Sequence, residues 1–86
     1  MFDKFFYLHS LTADELRSNG ECIGNFSTAL NNSYSVWIME RGRWGEVLVL
    51  IHEKDQEVAG ILESKTGKIL YLHPRSLDGA MKLWNI

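Results

Sequence analysis

The spacing of polar and apolar residues changes along the 86-residue chain, and each spacing predicts an element. Strand character is clearest from Tyr34 onward. Tyr34-Ser-Val-Trp-Ile-Met-Glu40 is β-branched and aromatic, and Glu46-Val-Leu-Val-Leu-Ile-His52 is the strongest strand in the chain. Two more strands, Glu57–Glu63 and Lys68–His73, follow the polar turns Glu53–Gln56 and Ser64–Gly67. Gly67 stands where a hairpin requires a positive φ. Pro74 ends the last strand, because it cannot donate to a ladder. Such short connections predict an antiparallel meander.

Helical spacing flanks this run. Thr12-Ala13-Asp14-Glu15 forms a capping box, with Asp14 and Glu15 in the first turn where the helix dipole favours negative charge. It predicts a helix over about 13–19, with Asn19-Gly20 as a left-handed terminator. Ser76 is a candidate N-cap for a second short helix over about 76–84, where Leu77, Ala80, Met81 and Trp84 share one apolar face. Gly79 inside that helix costs about 1 kcal/mol relative to alanine, so the helix needs the sheet to hold it. Residues 21–32 fit either an edge strand with a turn at Asn31-Asn32 or a helical turn over 26–30. The aromatic start (Phe2, Phe5, Phe6, Tyr7) places Phe2, Phe6 and Leu8 on one face of an extended segment. The expected fold is a single α+β domain spanning residues 1–86. Its antiparallel meander has four strands, or five if 21–32 opens with a strand, and carries two short helices.

A half-exposed antiparallel strand alternates apolar with polar residues, and these strands do not. Val47, Val49 and Ile51 oppose Leu48 and Leu50, and Val36 and Ile38 oppose Trp37 and Met39. Both faces of the sheet are therefore apolar. Two short helices can cover one of them, and the aromatic N-terminal segment part of the other. Otherwise the second face is closed by curling of the sheet, by a homodimer or by another partner.

Composition narrows the setting. Nine Lys+Arg against eleven Asp+Glu give a formal charge of −2, which disfavours a polyanion-seeking domain. No apolar run approaches the roughly 18 residues that cross a bilayer, and the N-terminal apolar run is too short for a secretion signal. A cytoplasmic setting and no membrane partner are expected. The single cysteine, Cys22, excludes an internal disulfide framework and a multi-thiolate zinc site, and reads as a small buried hydrophobe.

Catalytic motifs are broken wherever they start. His52-Glu53 opens like a zinc-protease helix, but Gln56 occupies the place of the second histidine. Gly60 and Gly67-Lys68 are spaced wrongly for a phosphate loop, and Ile69 replaces the Ser/Thr that would bind Mg²⁺. No cofactor and no metal site are expected. His52 and His73 both end strands that run the same way, so they can meet at one end of the sheet, with Glu53 and Cys22 as candidate neighbours; His9 is a third histidine. The acids Glu53, Asp55, Glu57 and Glu63 read as solvated turn residues.

The least routine stretch is Glu40-Arg-Gly-Arg-Trp-Gly-Glu46, which sets Arg41, Arg43 and Trp44 on a glycine-flexed hairpin tip. Guanidinium forks beside an aromatic face suit a protein hot spot. The expected function is a non-enzymatic protein-binding module, an inhibitor, immunity-type or adaptor protein, with those three residues in contact with the partner. One alternative is a small oligomeric enzyme using His52 or His73 with Glu53 or Glu57 as acid and base between subunits. Another is a single-stranded nucleic-acid binder using Tyr34, Trp37, Trp44 and the arginines, against which the net charge and the flanking Glu40 and Glu46 speak.

Overall fold

A computed structural model describes residues 11–40, Gly42 and residues 45–84. Helix α1 (Ala13–Asn19) leads into strands β1 (Glu21–Ser27), β2 (Ser33–Glu40), β3 (Glu46–His52), β4 (Glu57–Glu63) and β5 (Ile69–Leu72). A 3₁₀ turn, Pro74–Ser76, then feeds helix α2 (Leu77–Trp84). The strands form one antiparallel sheet in the order β1-β2-β3-β4-β5, each beside its neighbour in sequence. The ambiguous segment 21–32 thus opens with a fifth strand, at the sheet's edge.

Alternation along β2 and β3 sorts the core into two layers. On one face Met39, Val47, Val49, Ile51 and Ile61 pack with Leu11, Ala13 and Leu16 of the α1 region. On the other, Tyr34, Val36, Leu50 and Ala59 pack with Leu83 and Trp84 of α2. The helices therefore cover opposite faces, which corrects the expectation that both lie on one. At roughly 1.5–3 kcal/mol per fully buried Val, Leu or Ile, each layer stabilises its helix far more than helix propensity does.

Local signals explain the helix ends, with two corrections. The Thr12 side chain accepts the Glu15 backbone N–H at 3.1 Å, as the capping box predicts. Gly20, however, is extended (φ −107°) rather than left-handed. Its glycine is needed for close approach, since a Cβ there would lie 2.8 Å from the Leu16 carbonyl oxygen. The 3₁₀ turn that precedes α2 has its own cap, His73, whose Nδ1 accepts the Arg75 N–H at 3.1 Å, and Ser76, the residue before α2, is buried. The apolar face of α2 is also rotated from the predicted one. Gly79, Ala80, Leu83 and Trp84 turn inward, while Leu77 and Met81 are about half exposed. The cause is Gly79, which sits so close over Tyr34 that a Cβ would meet its ring at 2.6 Å.

Candidate functional site

Ladder register brings two histidines together. In β3, His52 stands opposite Tyr34 of β2 and Glu57 of β4. Strand β5 ends one residue before His73, whose backbone N–H donates to the Ala59 carbonyl at 2.8 Å. His52, His73 and Glu57 line one open cleft of about 400 Å³ with Asn32, Lys54, Asp55 and Arg75. The expectation that the strand-end histidines share one end of the sheet holds. Glu53 and Cys22 do not join them, because residue 53 falls on the opposite face from His52.

Hydrogen bonding fixes the tautomers in this cleft, starting from Asp78 in the first turn of α2. Its carboxylate accepts from Thr28 Oγ1 at 2.5 Å, Asn32 Nδ2 at 3.0 Å and Tyr34 OH at 2.6 Å. Burial pushes the Asp78 pKa up, but the bonds from Thr28, Tyr34, Asn32 and the Gly79 amide outweigh it and hold the group at about 2. Burial, reinforced by Asp78, pushes Tyr34 up to about 12. An ionised Asp78 only accepts, so the amide nitrogen of Asn32 must face it. Asn32 Oδ1 then faces His52 Nε2 at 3.3 Å, which must carry the proton. His52 Nδ1 is buried and without a hydrogen-bond partner, 3.6 Å from Asp55 Oδ2, with which it forms an ion pair when the ring is protonated. His73 is fixed too: its Nδ1 accepts the Arg75 amide, so its neutral ring is an N–H donor at Nε2.

A second cleft, about 330 Å³, lies on the α1 face where that helix leaves β1 and the start of β2 uncovered. Cys22, Asn25, Ser35, Trp37, Arg17 and Glu53 are among its lining residues. Trp37 Nε1 donates to Ser35 Oγ at 2.9 Å, and Ser35 in turn donates to the Glu53 carboxylate. Cys22 is exposed here, which overturns its reading as a buried hydrophobe. Tyr34 is fully buried with its hydroxyl bound to Asp78, so it offers no stacking face to a base.

Beside this cleft runs β1, an edge strand among the described residues. Every residue of β1 except Phe26 is exposed, Ile23 retaining 54% of its accessible surface. The strand carries no lysine, arginine or proline, three common guards of sheet edges, although a bulge between Cys22 and Gly24 interrupts its ladder. This surface escapes sequence reasoning, since an exposed edge and a half-buried strand can share one composition.

Arg41, Arg43 and Trp44 lie outside the described residues. Their position in the chain is nonetheless bracketed. Glu40 and Glu46 face each other as the last pair of β2 and β3, and Gly42 and Gly45 both adopt positive φ, 55° and 69°. Glu21 at the start of β1 pairs with Ile38, so that end of the edge strand and the Glu40–Glu46 pair belong to the same end of the sheet. His9 also lies outside the described residues. Among the described residues no group of three or more His, Cys, Asp or Glu side chains is placed to hold a metal ion, and no helix is long and apolar enough to cross a membrane. Comparison of the chain with protein-family models, curated proteins and solved structures gives no match.

Proposed function

We propose that this domain is a non-enzymatic protein-binding module, of the inhibitor, immunity or adaptor type, that acts by occluding a surface of its partner. The observation that carries the reading is the exposed edge strand β1. Among the described residues only β2 pairs with it, and its outer main-chain groups suit β-augmentation, in which an extended segment of the partner adds a strand. The groove lined by Cys22, Asn25 and Trp37 receives one side chain of that segment, with Arg17 and Glu53 offering charges of both signs. Continuity supports the same occupant. A segment running along β1 toward Glu21 arrives at the same end of the sheet as the Glu40–Glu46 pair, and the hot-spot contacts proposed for Arg41, Arg43 and Trp44 join the strand pairing in one interface.

The test begins with a photo-crosslinker at Ile23, with Lys54 as the control position. The captured protein is purified and its affinity measured by calorimetry. Ile23→Lys and the pair Arg41→Ala/Arg43→Ala are each expected to weaken binding about tenfold or more with an unchanged circular dichroism spectrum. Unchanged affinity in both variants rejects the site.

One observation favours a second reading. His52, His73 and Glu57 share a cleft, as an acid–base enzyme would need. Its site lies within one chain rather than between subunits.

A further inference from the structure

The junction between α1 and β1 sets a reactive sequence in a restrained place. Asparagine followed by glycine is the pair most prone to spontaneous deamidation, because glycine puts no side chain in the way of ring closure. Asn19 is exposed at the end of α1. The atom that would attack it is held, since the Gly20 backbone N–H donates to the Leu16 carbonyl at 2.6 Å. Gly20 is also wedged between two carbonyls: a Cβ there would lie 2.8 Å from the Leu16 oxygen and 3.0 Å from that of Ile38. We propose that Asn19 is a deamidation site gated by the fold, closed while the last turn of α1 is formed and open when that turn unwinds.

The reaction needs only water. The Gly20 nitrogen gives up its proton and attacks Asn19 Cγ. The new N–Cγ bond closes a five-membered imide, and Nδ2 leaves as ammonia. Water then opens the ring on one of two sides. Breaking the N–Cγ bond gives aspartate, a carboxylate at a helix C-terminus where the dipole disfavours it. Breaking the bond from that nitrogen to the Asn19 main-chain carbonyl gives isoaspartate. In this second product the chain runs through the former side chain, which adds one methylene to the backbone where Gly20 has no slack. Gly20 then cannot meet Leu16 and Ile38 as before, and the helix that covers Met39, Val47 and Val49 loses its tie to β1. A transient opening of α1 is thereby recorded as a permanent change.

The experiment incubates the protein near neutral pH, in buffer and in guanidinium chloride. Peptide mass spectrometry reads the mass gain at each asparagine, and an isoaspartyl methyltransferase counts the isoaspartate. In denaturant Asn19 is expected to react faster than Asn25, Asn31 and Asn32, which precede Phe26, Asn32 and Ser33. In buffer its reaction should be slower by about tenfold or more. Hydrogen exchange at the Gly20 amide supplies the yardstick, because exchange and ring closure both begin by removing the same proton. Folding should slow deamidation by at least the factor by which it slows that exchange. The isoaspartate form, made in denaturant and separated by ion exchange, should fail to refold or unfold at a lower urea midpoint than Asn19→Asp, which carries the charge without the added methylene. The proposal is overturned if folding slows the reaction less than about tenfold or less than it slows the exchange. It is equally overturned if Asn25, Asn31 or Asn32 outruns Asn19 in denaturant, or if the isoaspartate form matches the Asn19→Asp midpoint.

Discussion

Single residues decide how the second helix meets the sheet. Gly79 is the sharpest case. Propensity alone makes Gly79→Ala stabilising by about 1 kcal/mol, because alanine is the better helix former. The Tyr34 ring contradicts this, since the added methyl would lie 2.6 Å from its Cε2 atom, and Tyr34 is fully buried. Overpacking of that kind costs roughly 1–3 kcal/mol, so the substitution should destabilise the domain in urea unfolding. A more stable variant would mean that Tyr34 yields easily. The sequence discloses the glycine but not its reason, because the partner that makes it necessary is 45 residues away in the chain. Thr12 was legible for the opposite cause: its partner, Glu15, is three residues away. His52 falls between these cases. Its strand-end position follows from the sequence pattern, whereas its tautomer depends on Asn32 and Asp78, which only the fold brings near.

At the scale of elements, α2 is held by polar bonds as well as by Trp84. Asp78 ties it to Thr28, Asn32 and Tyr34, and Lys82 Nζ donates to the Ser27 carbonyl at 2.6 Å. The folded Asp78 pKa of about 2 lies below its ordinary value of 3.8. Its contribution is therefore complete above the ordinary value and is lost as pH falls through about 2. Asp78→Asn should reduce stability near neutrality by on the order of 1–2 kcal/mol, since an amide nitrogen would face donors. The gap to the unmodified protein should close as pH drops from about 4 to about 2, read from urea midpoints across that range. A pH-independent gap would assign the loss to packing instead. The strands were legible because their apolar runs are continuous and their turns carry Gly67 and Pro74. The rotation of α2 was not, since four apolar residues at helical spacing describe a stripe but not which neighbouring stripe is filled.

For the whole molecule, the decisive fact is that each apolar face of the sheet packs against a helix of the same chain. Each face carries a helix of its own, so light scattering behind size exclusion should give one monomeric mass across a tenfold dilution. A dimer abolished by Ile23→Lys would instead make a second copy the occupant of β1. The two-sided apolar pattern was plain in the sequence. Which helix goes to which side was not, because each is amphipathic and neither records where the other packs. The edge strand was the hardest element to read: its pairing with β2 comes from main-chain groups, and composition is blind to those.

This division of labour between helices has a consequence for the chain during synthesis. All five strands are made before α2, so a nascent chain can zip its meander from neighbouring segments while Val36, Leu50 and Ala59 still lack their cover. Until Leu83 and Trp84 arrive, one side of the sheet is open and sticky. A truncation just before Leu77 would leave every strand intact and yet yield a product prone to capture by chaperones. Solubility of this domain is thus set by the element translated after its sheet.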